Sequence, residues 1–192
     1  DWLYNIPIEM EIGLDGKTTM DFEGTQPWGY HSMNCTPAGM DGGMFVTLTQ
    51  HMNFEGLVND GAWMATELKL PHGTWTNPDN EMVATATSWA LLLPAYGVFQ
   101  RLLSRAFIGR GFVEEAFVGQ VNSPMIEMGG MSQYGTPFGM AHFECAAAGS
   151  GALAIKDGLD TAYVGWNPES DMGNIEIWEQ NMPMLYIGRS IV

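Results

Sequence analysis

Residues 4–22 read YNIPIEMEIGLDGKTTMDF, and this stretch decides how the chain begins to fold. Apolar and polar residues alternate from Tyr4 to Ile12, the period-two pattern of a half-buried strand. Asp15-Gly16 is a strong turn signal, and the alternation resumes over residues 18–22. The stretch therefore predicts a β-hairpin, and Pro7 places its first strand at a sheet edge or at the strand start.

A long apolar stretch predicts the central helical segment. Asn77-Pro78-Asp79 has the composition of a helix start, with a capping Asn, a Pro at the first position and an acid in the first turn. The helix is expected to run from about Pro78 to Leu92, to kink or break at Pro94 and to resume towards Phe107. Gly109-Arg110-Gly111 should end it.

Short strands and glycine turns are expected on either side of this segment. Residues 36–51 could form a short helix, although three glycines within them weaken that prediction. The strand candidates near the end of the chain are Met125–Met131, Phe138–Glu144, Tyr163–Trp166, Ile175 with Ile177, and Met184–Ile187. The predicted class is α+β: a β-hairpin, a long kinked central helical segment and further short strands forming a mixed sheet.

The charge composition excludes several classes of partner. The chain has 192 residues, 22 acidic and 7 basic, so its net charge is −15. Such a surface repels phosphate backbones and anionic lipid, so no nucleic acid or membrane partner is expected. Only 15% of residues are charged, against about 25% in an ordinary domain, which predicts that part of the surface contacts other proteins.

Two further features bear on location. Cys35 and Cys145 fit no metal or redox spacing, and beside 15 methionines they favour a reducing, cytoplasmic setting, although a single disulfide stays open. Residues 84–99 are apolar but contain polar residues and Pro94, and they are shorter than the roughly 20 residues that a bilayer requires. They predict a buried helix instead of a membrane span.

His142 and Glu144 are the candidate catalytic residues. On a strand the two side chains would share one face, and a histidine beside a carboxylate can act as an acid–base pair or bind a metal. The His-x-Glu spacing also begins the zinc deaminase signature, but the Pro-Cys-x-x-Cys half is absent. The alternative is a partly buried polar pair with a structural role.

The remaining motifs assign no cofactor-binding or metal-binding residue. Residues 149–152 form a small-residue loop without the Gly-Lys-Ser/Thr ending of a phosphate loop, so close packing of backbone is the simpler interpretation. His31, His51 and His72 lack the spacing of a local metal site.

Several segments, in one order along the chain, resemble motifs of the hydantoinase B/oxoprolinase family. They are the Asp15-Gly16-Lys17 turn with residues 20–25, the turn from Leu70 to Pro78, the loops at 149–152 and 156–160, and residues 174–179 with 183–186. Residues 166–173 resemble the acetone and acetophenone carboxylase branch. Residues 80–83 depart from the family pattern that follows the Asn-Pro step.

This resemblance implies part of an ATP-dependent, biotin-independent ketone carboxylase, a ligase, with acetone converted to acetoacetate preferred over acetophenone. It implies ATP and Mg on a hydantoinase A-like partner subunit, a small subunit completing a hetero-oligomer, and a small ketone and bicarbonate as substrates. It places manganese elsewhere in the large subunit and no cofactor on this segment. A wall rich in Met, Trp and Gly suits the water-excluding site that such chemistry requires.

Two other functions stay open at this point: ATP-dependent hydrolysis of a cyclic amide such as 5-oxoproline or a hydantoin, and a non-catalytic scaffold or assembly module. We also expect residues 1–192 to be a single segment of a hydantoinase B-like subunit that does not work alone. The first residue is not Met, and the family pattern continues beyond Val192.

Overall fold

Strands and helices alternate along the part of the chain that the computed structural model describes, which is residues 5–52, 59–83, 85, 89–116, 126–142, 151–158 and 175–188. The elements are β1 (Glu9–Ile12), β2 (Thr18–Asp21), α1 (Pro37–Met52), α2 (Asp60–Trp63), β3 (Thr66–Lys69), α3 (Trp89–Gly109), a 3₁₀ turn (Val113–Glu115), β4 (Ile126–Met131), β5 (Pro137–His142) and α4 (Ile175–Asn181). This mixture of helices and small sheets confirms the predicted α+β class.

The predicted hairpin forms one side of a three-stranded sheet in the order β1-β2-β3. β1 pairs antiparallel with β2, placing Met10 opposite Met20, and β3 pairs parallel with β2, placing Leu68 opposite Met20. Gly16 has a φ of 85°, which a glycine adopts without strain in the connecting turn. Met20 is fully buried and joins the sheet to the core.

Helices α1 and α3 pack against each other to form the rest of that core. Its other buried apolar side chains are Phe22, Cys35, Met40, Met44, Trp75, Leu91, Leu92, Ala95, Tyr96, Phe99 and Leu103. Helices α1 and α3 approach closely at Gly43, where an added Cβ would lie 2.6 Å from Leu92 Cδ2. At least one of the α1 glycines that weaken the helix in the sequence therefore serves packing.

The expected helix start at Pro78 is wrong, because α3 begins at Trp89. Asn77 closes the preceding turn instead of capping a helix: its Nδ2 donates to Leu70 O at 3.0 Å, and its carbonyl accepts from Gly73 N at 2.9 Å. Of the two outcomes predicted at Pro94, a kink or a break, the break is wrong, since α3 continues through that residue.

The end of α3 lies where the glycine signal placed it. Gly111 has a φ of 89° and its N–H donates to Ile108 O at 3.0 Å, while Phe112 N donates to Phe107 O at 3.0 Å. This pair of bonds is a Schellman cap, which satisfies the last helical carbonyls.

The strands predicted at 125–131 and 138–144 are present as an antiparallel hairpin, β4–β5. The turn of this hairpin rests on the end of α4, because Gln133 Nε2 and Tyr134 Oη both donate to Gln180 O, at 2.7 and 3.1 Å. In the described residues, no helix is both long enough and apolar enough to cross a membrane.

Two strand predictions near the end of the chain are wrong. Ile175 and Ile177 lie in helix α4, and residues 184–187 have no regular secondary structure. A short alternation such as Ile-Glu-Ile-Trp fits a strand and one face of a helix equally well. The strand predicted at Tyr163–Trp166 and the loop at 149–150 lie outside the described residues.

Candidate functional site

The loop that follows β3 has several internal hydrogen bonds. In this loop, residues 71–81, Gly73 takes a φ of 79° and its N–H donates to Asn77 O at 2.9 Å. The hydroxyls of Thr74 and Thr76 share a buried hydrogen bond of 2.8 Å. These hydrogen bonds within the loop hold its backbone in one conformation.

The 71–81 loop is also bound to the segment that precedes α1. Trp75 is buried. Its backbone N–H donates to Gln26 O at 3.2 Å, and its backbone carbonyl accepts from Cys35 N at 2.7 Å. The Trp75 indole meets the His31 ring edge to face, with centroids 6.2 Å apart. The loop therefore has a defined position relative to the start of α1.

A cleft of about 490 Å³ opens between the 71–81 loop and the start of α1. Thr36 caps that helix, because its Oγ1 accepts from Gly39 N at 3.1 Å. The residues that line the cleft are Thr36, Pro37, His72, Pro78, Asp79, Asn80, Glu81, Val83 and Thr85.

The cleft presents one imidazole, two carboxylates and two hydroxyls. Trp28 Nε1 donates to Asp79 Oδ1 at 2.6 Å, which holds one of the carboxylates in place. His72 is exposed to solvent. The two ring nitrogens of an imidazole can accept and donate a proton, so His72 is the group here best suited to exchange one. The arrangement can bind a small polar molecule and move a proton to or from it.

Sequence reasoning did not choose this cleft. In sequence, His72 lacks the spacing of a local metal site, although the turn around it resembles one of the family motifs. Of the residues predicted as catalytic, His142 is the last residue of β5 and pairs with Ile126, and Glu144 lies outside the described residues. Their acid–base role therefore stays a prediction.

The described residues hold no group of three or more His, Cys, Asp or Glu side chains able to bind a metal ion. In the core, burial raises the pKa of the Tyr96 phenol, and the neighbouring Cys35 thiol raises it further. Both groups lie in the core cluster and not among the residues that line the cleft.

Comparison with known proteins gives matches along the whole chain. The chain is 44% identical over 192 residues to the acetone carboxylase alpha subunit of Xanthobacter autotrophicus, covering 100% of this chain and 25% of that protein. The nucleotide-free structure of an acetone carboxylase superposes with a TM-score of 0.85 and 43% identity, over 95% of this chain and 24% of that one. The chain thus spans about a quarter of the length of these relatives.

A second solved structure shares the fold alone. The ATP-dependent caprolactamase of Pseudomonas jessenii matches with a TM-score of 0.60 and 13% identity, over 91% of this chain and 30% of that one. The sequence model of the family Hydantoinase B/oxoprolinase matches residues 1–192. The family that the ordered motifs resemble is confirmed, and the chain belongs to the hydantoinase B/oxoprolinase family.

Proposed function

We propose that this chain is part of the large subunit of an ATP-dependent, biotin-independent ketone carboxylase, a ligase that forms acetoacetate from acetone and bicarbonate. The observation that carries the proposal is the 44% identity to an acetone carboxylase alpha subunit over all 192 residues. The structural match at a TM-score of 0.85 supports it, because similar sequence and similar backbone extend over the same region.

The proposal includes a cytoplasmic hetero-oligomer. A hydantoinase A-like subunit holds ATP and Mg, a small subunit completes the assembly, and manganese is held elsewhere in the large subunit. The surface supports contact with other proteins, because large apolar side chains are open to solvent among few charges. The most exposed of them are Leu14, Tyr30, Met64, Met82 and Ile187.

The cleft beside the 71–81 loop is our candidate for the contribution of this chain to the substrate site. Carboxylation of a ketone requires removal of a proton from the carbon that receives the new bond. His72 brings the imidazole of the cleft, the side chain most often used as a general base, so we assign the removal of that proton to it. Thr36 and Thr85 offer hydroxyl donors for a carbonyl or carboxylate oxygen.

A substrate panel tests the activity. In the purified native enzyme, acetone should raise ATP consumption only when bicarbonate is present, and acetophenone should raise it less. Stimulation by 5-oxoproline, a hydantoin or caprolactam, with a ring-opened product, would replace the carboxylase assignment with cyclic amide hydrolysis. Absence of stimulation by every compound, with nucleotide use unchanged, would favour a scaffold.

Substitution in the native enzyme tests the residues. We expect His72→Gln to lower acetone-dependent turnover by about 10²-fold or more, the usual contribution of a general acid or base. Glu67→Gln, at an exposed position on β3 away from the cleft, serves as the control and should leave turnover unchanged. Wild-type turnover in the His72 variant, with loss in His142→Ala or Glu144→Ala, would move the acid–base role to that predicted pair.

A further inference from the structure

One side of the cleft is an irregular segment, residues 78–83, which we call the 78–83 wall. It supplies five of the nine residues that line the cleft. Its internal hydrogen bonds form a local turn around Asn80. Within the described residues, the hydrogen bond that joins this wall to the rest of the chain runs from Trp28 Nε1 to Asp79 Oδ1 at 2.6 Å. The position of the wall therefore depends on Trp28.

Trp28 itself has a fixed position beside His72. Its side chain is half-buried against the core, and the Tyr30 ring meets it edge to face with centroids 5.3 Å apart. Its backbone N–H donates to Gly73 O at 3.3 Å, so Trp28 is bonded to the residue that follows His72. Trp28 thus holds the His72 side of the cleft through its backbone and the 78–83 wall through its indole.

The bond between Trp28 and Asp79 is short. Its 2.6 Å compares with about 2.9 Å for an ordinary N–H···O bond, and a carboxylate acceptor makes such a bond both shorter and stronger. The second carboxylate oxygen turns back towards the loop, because a Cβ added to Gly73 would lie 3.4 Å from Asp79 Oδ2. Asp79 therefore keeps the wall against the turn that carries His72.

We propose that Trp28 is a positioning residue of the substrate site, which sets the distance between the 78–83 wall and His72 by holding Asp79. This role rests on the proposed function, because it takes the cleft as the place where the ketone binds. Trp28 is not among the residues that line the cleft, so it acts through Asp79 and not by touching the substrate.

A small ketone makes the position of the wall important. Acetone has one hydrogen-bond acceptor, so its binding depends mainly on how closely the walls of the cleft surround it. Loss of the Trp28 bond should therefore weaken ketone binding. It should not change the binding of ATP, which the proposed function places on another subunit.

The chain offers a matched control in Trp63. Its indole N–H also donates to an exposed aspartate, Asp41, at 2.7 Å to Oδ1. Its ring also contacts an aromatic neighbour, Phe45, with centroids 5.5 Å apart, and it is also half-buried against the core. Neither Trp63 nor Asp41 lines the cleft. Trp63→Phe therefore removes a similar hydrogen bond at a different place.

Steady-state kinetics of the native enzyme test the positioning role. Trp28→Phe should raise KM for acetone about 5-fold or more and leave KM for ATP within about 2-fold, whereas Trp63→Phe should change neither. Asp79→Ala should also raise KM for acetone, and the double variant with Trp28→Phe should match Asp79→Ala alone. A KM for acetone in Trp28→Phe no higher than in Trp63→Phe, or a double variant in which the two effects multiply, would overturn the proposal.

Amide hydrogen exchange in the native enzyme separates this role from the proposed function, because it requires no turnover. The amides of Met82 and Val83 are hydrogen-bonded in the wall, and they should exchange faster in Trp28→Phe than in the wild type or in Trp63→Phe. This difference in an enzyme that does not use acetone would refute the proposed function and support Trp28 as the residue that holds the wall. Equal exchange in all three proteins would refute the positioning role, whatever the substrate.

Discussion

Of two adjacent glycines in α1, Gly43 is packed against α3 and Gly42 is not. A Cβ on Gly43 would lie 2.6 Å from Leu92 Cδ2 and 3.3 Å from the Tyr96 hydroxyl oxygen, whereas a Cβ on Gly42 would meet nothing within 4 Å. Leu92 is buried and cannot move without disturbing the core. Gly43 thus sets how closely α1 approaches α3, and Gly42 does not.

We expect Gly43→Ala to lower the free energy of unfolding by about 1–3 kcal/mol, the usual cost of overpacking. Gly42→Ala is the matched control and should raise it by about 0.5–1 kcal/mol, because alanine loses less backbone entropy in a helix. Denaturant unfolding of the native protein and of both variants measures the difference. Equal effects at the two positions would contradict the close approach.

Single residues also explain where sequence reasoning about the helices fails. Asn77-Pro78 has the composition of a helix start, yet the Asn77 side chain donates a hydrogen bond to Leu70 O in the preceding turn. A helix cap requires the Asn side-chain oxygen as an acceptor, whereas this turn uses the Asn77 side-chain N–H as a donor. Composition does not show which of the two groups finds a partner. Pro94 is tolerated inside α3 because that helix buries Leu91, Ala95 and Phe99, and their burial offsets the lost backbone hydrogen bond.

At the scale of elements, the cap of α3 gives a second matched pair of glycines. Gly111 has a φ of 89°, a left-handed conformation that a side chain disfavours by about 1–2 kcal/mol. Gly111→Ala should therefore lower the free energy of unfolding by about that amount. Gly109→Ala, inside the helix with nothing within 4 Å of its added Cβ, should raise it by up to about 1 kcal/mol. Thermal unfolding of both variants separates them, and destabilisation by Gly109→Ala alone would contradict the cap.

The elements that sequence reasoning found are those with a local signal. The β1–β2 hairpin and strand β4 have period-two alternation or a glycine turn beside them, and both lie close to the predicted positions. Strand β3 has four residues and pairs in parallel with β2, which lies more than forty positions earlier in the chain. No local sequence pattern therefore predicts strand β3. The sequence of helix α4 predicts a strand, because seven residues are too few to distinguish the two-residue period of a strand from the 3.6-residue period of a helix.

At the scale of the whole molecule, the surface combines few charged residues with large apolar side chains that are exposed to solvent. Tyr30, Met82 and Ile187 are 95%, 90% and 96% exposed, and only 15% of the residues are charged. We expect the chain separated from its partners to aggregate or to bind a hydrophobic dye strongly, and to bind much less dye within the native assembly. Dye fluorescence of both samples tests this. A soluble chain of this length that unfolds cooperatively as a monomer would contradict it.

The candidate site shows why the family was easier to recognise from the sequence than the residues of a site. The ordered motifs run along the chain, so the family could be recognised from sequence, and the turn from Leu70 to Pro78 lies within it. The cleft joins that turn to Thr36 and Pro37, more than thirty residues earlier, through the hydrogen bond from Cys35 N to Trp75 O. Contacts of this range leave no local pattern, so the sequence alone does not mark His72 as a site residue.

Product labelling is a direct test of our claim that this chain works in a ketone carboxylase. The native enzyme is incubated with ATP, acetone and ¹³C-bicarbonate, and the product is followed by NMR. We predict ¹³C in the carboxylate of acetoacetate, formed only when ATP and acetone are both present, and strongly reduced in the His72→Gln enzyme. Consumption of ATP without any label entering a ketone-derived acid would contradict the claim.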